Sequence, residues 1–236
     1  MLDLIQFGSP KLSDLMPAAS YQKLLQGGRL LHYKKGAVVH QRGDNKPGLS
    51  VVQTGTVEVG NTGADGSFLV TSIMGPGQCF GEFTLFAGLP RTHTITAAEA
   101  SQIHQIPANK VNALLTDEPA IAKAFLTLSL LRTHGLLEFF DDFRRLPKAV
   151  HIAKFLWSMA ETSGKRNVVY CRQQDLAFTF GLSRVSIGKS LKKLQDDGLI
   201  ELGYGCIHFP DPAKLEHWLS KYQEIEPLTA NWQGPG

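Results

Sequence analysis

The chain has 236 residues, 43% apolar and 19% charged, without Ser, Gln or Pro tracts. That make-up excludes a largely disordered protein, and the length suits two ordinary domains better than one. A net charge of +3 permits nucleic-acid binding without requiring it.

Met1 to Ser20 carries Asp3, Pro10, Lys11, Asp14 and Pro17 and no unbroken apolar stretch, which argues against secretion. No run reaches the roughly 18 apolar residues of a membrane span, so the expected location is the cytoplasm, with no membrane partner. From Arg29 to Pro107, short β-type runs follow one another: Leu30 to Tyr33, Ala37 to Gln41, Leu49 to Gln53, Thr56 to Val59, Phe68 to Met74, His93 to Ala97 and Gln102 to Ile106. Turn signals separate them, among them Lys35-Gly36, Thr54-Gly55, Gly63-Ala64-Asp65-Gly66 and Gly75-Pro76-Gly77. Many short strands with glycine-rich corners predict an antiparallel jelly roll.

After Pro107 the pattern turns helical, and Asp117 ahead of Pro119 predicts an N-cap and first turn. The helix runs to about Leu146 and carries two apolar stripes. One is Leu126, Leu130, Thr133, Leu137, Phe140; the other is Ile121, Phe125, Leu128, Leu136, Phe139, Phe143, Leu146. At 100° per residue their centres lie about 120° apart. One neighbouring domain covers only one face, so the heptad-spaced stripe predicts pairing with a second copy; burial of both faces in a monomer is the alternative. Gly135 weakens this helix by roughly 1 kcal/mol relative to Ala and invites a bend. Pro147 opens another helix, Lys148 to about Glu161, ending near Ser163-Gly164. The expected fold class is α+β, with a β-roll over 1–116, a dimerisation helix over 117–146, a DNA-binding domain over 147–226 and a flexible tail over 227–236.

Past Gly164, a short strand Asn167 to Cys171 leads into two short helices. Gly181 supplies the turn between them, Ser183 caps the second, and Ala177 is small where the helices cross. In the second helix Ile187, Leu191 and Leu194 share the core-facing arc. Opposite them lie Val185, Ser186, Lys189, Lys192 and Lys193, with Arg184 at the start: four basic residues and no acidic one between Ser183 and Gln195. That is the pattern of a helix in a DNA major groove, and Arg172 and Gln173 at the start of the first helix complete the DNA-contact set. The segment Glu201 to Phe209, turning at Gly203-Tyr204-Gly205, predicts a hairpin wing.

The segment Phe80-Gly81-Glu82, seven residues, then Pro90-Arg91-Thr92 resembles the phosphate-binding cassette of cyclic-nucleotide-binding domains. Together with the winged helix-turn-helix, nearly the whole chain resembles the cyclic-AMP receptor protein (catabolite activator) and Fnr family of bacterial transcription regulators. The resemblance implies a cyclic nucleotide effector, cyclic AMP or cyclic GMP, a homodimer, double-stranded DNA as target and RNA polymerase as a further partner.

The chemistry agrees. A turn at Gly81 opening a helix with Glu82 and Phe83 aims free N–H groups at an anion, Arg91 forks two hydrogen bonds onto phosphate, and Thr92 adds a hydroxyl. Glu82 can accept from a ribose 2′-hydroxyl and balance the Arg91 charge, or merely form an internal ion pair with it. In cyclic-AMP responders, hydroxyl side chains on the long helix meet the adenine. Aligned without gaps from Arg91, those positions are Leu136 and Leu137 here, with Thr133 one turn earlier. Val185 stands where the catabolite activator has an acidic base-contacting residue, which predicts a different DNA preference at that step.

Three alternatives remain: the same architecture with an effector-independent or non-nucleotide pocket, a cyclic-nucleotide-binding kinase or channel subunit, which the helix-turn-helix and the lack of membrane spans oppose, and a cupin-like jelly-roll metalloenzyme. For the last a His-x-His cluster is missing; His32, His40, His93 and His104 are scattered. Cys79, Cys171 and Cys206 lack ligand spacing and cannot make a four-thiolate cluster. No Ser/His/Asp, Cys/His or Walker arrangement points to an enzyme.

Overall fold

The computed structural model describes residues 11–63, 66, 68–162 and 166–222. They belong to two compact units, one within Ser9–Arg132 and one within Thr133–Gly236. The expected tail at 227–236 and the expected helix end at Ser163-Gly164 lie outside the described residues.

In the first unit, helix α1 (Ala18–Gln26) precedes strands β1 (Arg29–Tyr33), β2 (Val38–His40), β3 (Gly48–Thr54), β4 (Val57–Thr62), β5 (Phe68–Met74) and β6 (Cys79–Phe80). Helix α2 (Glu82–Ala87), strands β7 (Thr94–Ala97) and β8 (Ser101–Pro107), and helices α3 (Ala108–Asp117) and α4 (Pro119–Arg145) follow. The strands form two four-stranded sheets, ordered β1-β8-β3-β6 and β2-β7-β4-β5, with every pairing antiparallel. This is the expected α+β roll, and all seven expected strands form.

Strand β3 explains how the layers stack, because its two faces have different partners. Leu49 and Val51 join an apolar cluster with Leu12, Leu24, Val111, Ile121, Phe125 and Leu128. Ser50, pointing the other way, hydrogen-bonds His40 of β2 at 2.8 Å and so ties the two sheets. Strand β6 is too short for alternation to reveal, but its pairing of Phe80 with Ser50 and of Cys79 with Val51 fixes where α2 begins.

The expected N-cap at Asp117 is corrected: Asp117 is the last residue of α3, and the Glu118 N–H donates to the Leu114 carbonyl at 2.8 Å. Val111, Leu114 and Leu115 have helical spacing, so apolar burial carries α3 through the segment. Proline still opens α4, which runs unbroken through Gly135. Within the chain, Leu126, Leu130, Leu137 and Phe140 are 58–62% exposed, whereas Ile121, Phe125 and Leu128 are buried. Leu136 and Phe143, assigned from spacing to the buried stripe, are exposed as well.

The second unit adds α5 (Lys148–Thr162), β9 (Val168–Val169), α6 (Gln173–Thr179), α7 (Arg184–Asp196), β10 (Glu201–Gly203), β11 (Cys206–His208) and α8 (Pro212–Ser220). The three strands form one sheet, β10-β11-β9. Ile152, Leu156, Leu176, Ile187, Leu191, Leu194 and Phe209 make the core. Helix α8 is an addition to the sequence reading; Asp211 caps it by accepting from the Lys214 N–H at 3.0 Å, with Pro212 in the first turn. Lys214 Nζ in turn donates to the carbonyls of Asp197 and Gly198, at 3.0 and 3.1 Å, where α7 ends.

His151 of α5 is only 4% exposed. Its ring lies 4.7 Å from Phe139 and 4.8 Å from Phe180, and its Nε2 has no hydrogen-bond partner. Burial lowers its pKa from 6.5 to about 4, with Asp142 pulling the other way. The folded form therefore disfavours the proton that the unfolded chain binds, so this stability is complete above about pH 6.5 and drains away as pH falls towards 4. Trp157 and Trp218 belong to or pack against this unit's core, and no tryptophan precedes Trp157 in the sequence, so tryptophan fluorescence reports this unit. The expected melting temperature is lower at pH 5 than at pH 7.5, and the gap narrows in a His151→Phe variant.

Candidate functional site

The expected cassette starts where β6 meets α2. Gly81 sits at φ 112°, a region costly for any other residue. A Cβ there would lie 2.4 Å from the Gly48 carbonyl oxygen and 3.1 Å from Arg91 Nη1. Glycine is thus required twice, by torsion and by the close approach of the Arg91 guanidinium.

Arg91 is 8% exposed. The turn ahead of β3 pins its backbone: its N–H donates to the Asp44 carbonyl at 3.0 Å, and its carbonyl accepts from the Gly43 N–H at 2.9 Å. Its side chain is far less satisfied. Nη2 makes one long bond, 3.3 Å, to the Lys46 carbonyl, and the buried Nε has no partner. Among the described residues no carboxylate forms an ion pair with it. Burial pushes its pKa down, while Asp44 and Glu82, at longer range, pull it up. A buried guanidinium in this condition has charge and donor capacity that an anion can satisfy.

Glu82 does not form the internal ion pair with Arg91 that the sequence left open as an alternative, and acts on that guanidinium only at longer range. Its Oε1 accepts from Arg132 Nη1 at 2.6 Å and from the Cys79 thiol at 3.2 Å, while Arg132 Nη2 donates to the Cys79 carbonyl at 3.1 Å. The balancing charge comes from α4, 50 residues downstream. Sequence reasoning missed Arg132 because the helix was scanned for apolar stripes. The available signal was that no other lysine or arginine stands between Lys123 and Arg144.

Phe83 is exposed, and Thr92 is exposed with its hydroxyl 2.9 Å from His93 Nδ1. Thr133, Leu136 and Leu137 lie on α4 with exposed side chains. His40 bonds Ser50 and His93 bonds Thr92; among the described residues no three His, Cys, Asp or Glu side chains gather as a metal site would need.

The helix-turn-helix forms from the expected residues. Ser183 Oγ accepts from the Ser186 N–H at 3.2 Å to start α7, and Gly181 takes φ 59° in the turn. Ile187, Leu191 and Leu194 are fully buried, each contributing about 1.5–3 kcal/mol, and this anchors the opposite face outward. Arg184, Val185, Lys189, Lys192 and Lys193 are exposed on that face; Ser186 is half-buried and 3.0 Å from the Ser183 hydroxyl. Val185, at 67% exposure, is a large apolar side chain offered to solvent. Arg184 hydrogen-bonds Gln174 of α6. Arg172 and Gln173 are exposed at the start of α6, where the Asp175 carboxylate accepts from the Arg172 N–H at 3.1 Å. The wing hairpin turns at a fully exposed Tyr204, which the sequence reading placed in the turn without assigning it a contact.

Comparison with known proteins gives two family matches: a cyclic nucleotide-binding domain over residues 30–118 and a Crp-like helix-turn-helix domain over residues 150–218. The chain is 26% identical over 215 residues to the cyclic AMP receptor protein of Thermus thermophilus, covering 89% of this chain and 96% of that one. It is 24% identical over 189 residues to a CRP-like cAMP-activated global transcriptional regulator of Mycobacterium tuberculosis, covering 78% and 84%. In fold it is similar to the c-di-GMP responsive regulator CLP of Xanthomonas campestris, with a TM-score of 0.65 at 23% identity over 82% of this chain and 99% of that one.

The Glu82–Arg132 pair is largely withdrawn from solvent. Glu82→Ala takes this carboxylate away from the Arg132 guanidinium and is expected to cost about 3 kcal/mol. Adding Arg132→Met recovers at least half of that, measured by urea unfolding followed through hydrogen exchange of β3 and β6.

Proposed function

We propose that this chain, which belongs to the cyclic-AMP receptor protein and Fnr family of DNA-binding transcription regulators, senses a 3′,5′-cyclic nucleotide, cyclic AMP or cyclic GMP, and acts as a cytoplasmic homodimer. The observation that carries the effector reading is the buried Arg91 guanidinium, which lacks a carboxylate and leaves its Nε unpaired. A cyclic phosphodiester supplies the missing acceptors and charge. Gly81 gives the room, Thr92 adds a hydroxyl donor, and Glu82 accepts from the ribose; Phe83 and Thr133 flank the ligand. The names of the curated relatives favour cyclic AMP.

On this reading, 1–116 senses, 117–146 dimerises and 147–226 binds DNA. The outward stripe Leu126, Leu130, Leu137 and Phe140 supports pairing through α4. Arg184, Val185 and Lys189 read bases in the major groove from the N-terminal half of α7. Ser183, Ser186, Lys192, Lys193, Arg172 and Gln173 hold the phosphates. RNA polymerase is the further partner at target promoters. Effector occupancy changes DNA affinity by about 5- to 150-fold, the usual span of coupling free energies. A second reading keeps the architecture but gives the pocket a non-nucleotide ligand; it is favoured by Leu136 and Leu137, where cyclic-AMP responders carry hydroxyls.

Isothermal titration with cyclic AMP and cyclic GMP tests the effector. Binding by the wild type and its loss in Arg91→Leu are expected, and an unchanged Arg91→Leu titration refutes the assignment. Lys192→Ala and Lys193→Ala are each expected to weaken binding to all DNA sequences alike and to lower the salt-dependence slope by about 1, whereas Val185→Glu changes sequence preference. A Leu130→Arg/Leu137→Arg variant is expected to sediment as a monomer.

A further inference from the structure

The carboxylate of Glu82 is occupied on one side only. Oε1 takes both the Arg132 guanidinium and the Cys79 thiol, while Oε2 makes no hydrogen bond with any described residue. Cys79 is fully buried in β6, where pairing with Val51 holds its backbone. Its thiol reaches across the Phe80-Gly81 corner to the first residue of α2. Arg132 closes the ring by bonding the Cys79 carbonyl as well as Glu82. Strand, helix start and α4 therefore meet at one carboxylate oxygen.

We infer that Cys79 is a positioning residue for effector selection: with Arg132 it fixes Oε1 of Glu82, so that Oε2 is presented to the 2′-hydroxyl of a ribose. This inference rests on the cyclic-nucleotide reading above. Burial and the Glu82 charge together push the Cys79 thiol well up, against Arg132, so the sulfur keeps its proton and serves as a donor. A carboxylate held in one rotamer has less freedom to lose when the ligand arrives. A valine at the same place fills the volume but donates nothing; a serine restores a donor.

The test is titration calorimetry of the full chain with cyclic AMP, cyclic GMP and the 2′-deoxy analogue of each. The wild type is expected to favour the ribose form. In Cys79→Val that preference falls by about threefold to tenfold, the worth of one ordinary net hydrogen bond, with deoxy affinity unchanged. Cys79→Ser keeps the preference, and Cys79→Ala, which also lacks a donor, lowers it as valine does and serves in its place should the larger side chain not fit. An unchanged ribose-to-deoxyribose ratio in both Cys79→Val and Cys79→Ala, or an equal loss for both ligand forms, overturns the role of Cys79 and leaves the effector reading intact. A wild-type chain that binds neither cyclic nucleotide overturns the effector reading, and this inference falls with it.

Discussion

A positive charge folded into a β-roll without a negative partner is the constraint around which the first unit is organised. Desolvating a guanidinium is costly, and a chain normally offsets the cost with a carboxylate. Here the nearest acidic residue of the cassette is committed elsewhere: Glu82 is drawn to Arg132 on α4. The two arginines divide the labour, one closed by an internal ion pair and the other left with a single long bond to a backbone carbonyl.

Backbone geometry, more than side-chain variety, makes that arrangement possible. Gly48 and Gly81 lie so close that no Cβ fits at the second, and Gly43 and Asp44 grip the main chain of Arg91 through two backbone hydrogen bonds. The arginine is thus held chiefly by its own peptide groups, and its side chain keeps hydrogen-bonding capacity to spare. The same economy appears in the DNA-binding unit. Three buried residues, Ile187, Leu191 and Leu194, orient α7, and its basic residues meet solvent because the apolar ones do not.

Features set by local patterns were legible in the sequence. Alternation and glycine corners marked seven strands, Ser183 and Gly181 marked the turn into α7, and the Gly81 to Thr92 motif marked the cassette. What escaped depends on distance or on segments too short to carry a period. Strand β6 has two residues. Helix α3 adjoins α4 with only Glu118 between them, so Asp117 looked like the start of one helix while ending another. Leu136 fits the buried stripe by angle alone, yet nothing in its own unit covers it. The role of Arg132 needed the fold, since no local rule links an α4 arginine to a carboxylate 50 residues earlier.

The lysine that α8 lends to the end of α7 has a wider consequence. A helix finishes with carbonyls that carry a partial negative charge, and on α7 that pole would sit at the far end of a surface meant to be positive. By meeting the carbonyls of Asp197 and Gly198, Lys214 neutralises the unfavourable pole from behind. The cationic character of α7 is thereby shared with a neighbouring helix, and two carbonyls at its end gain the donor that the helix itself does not supply.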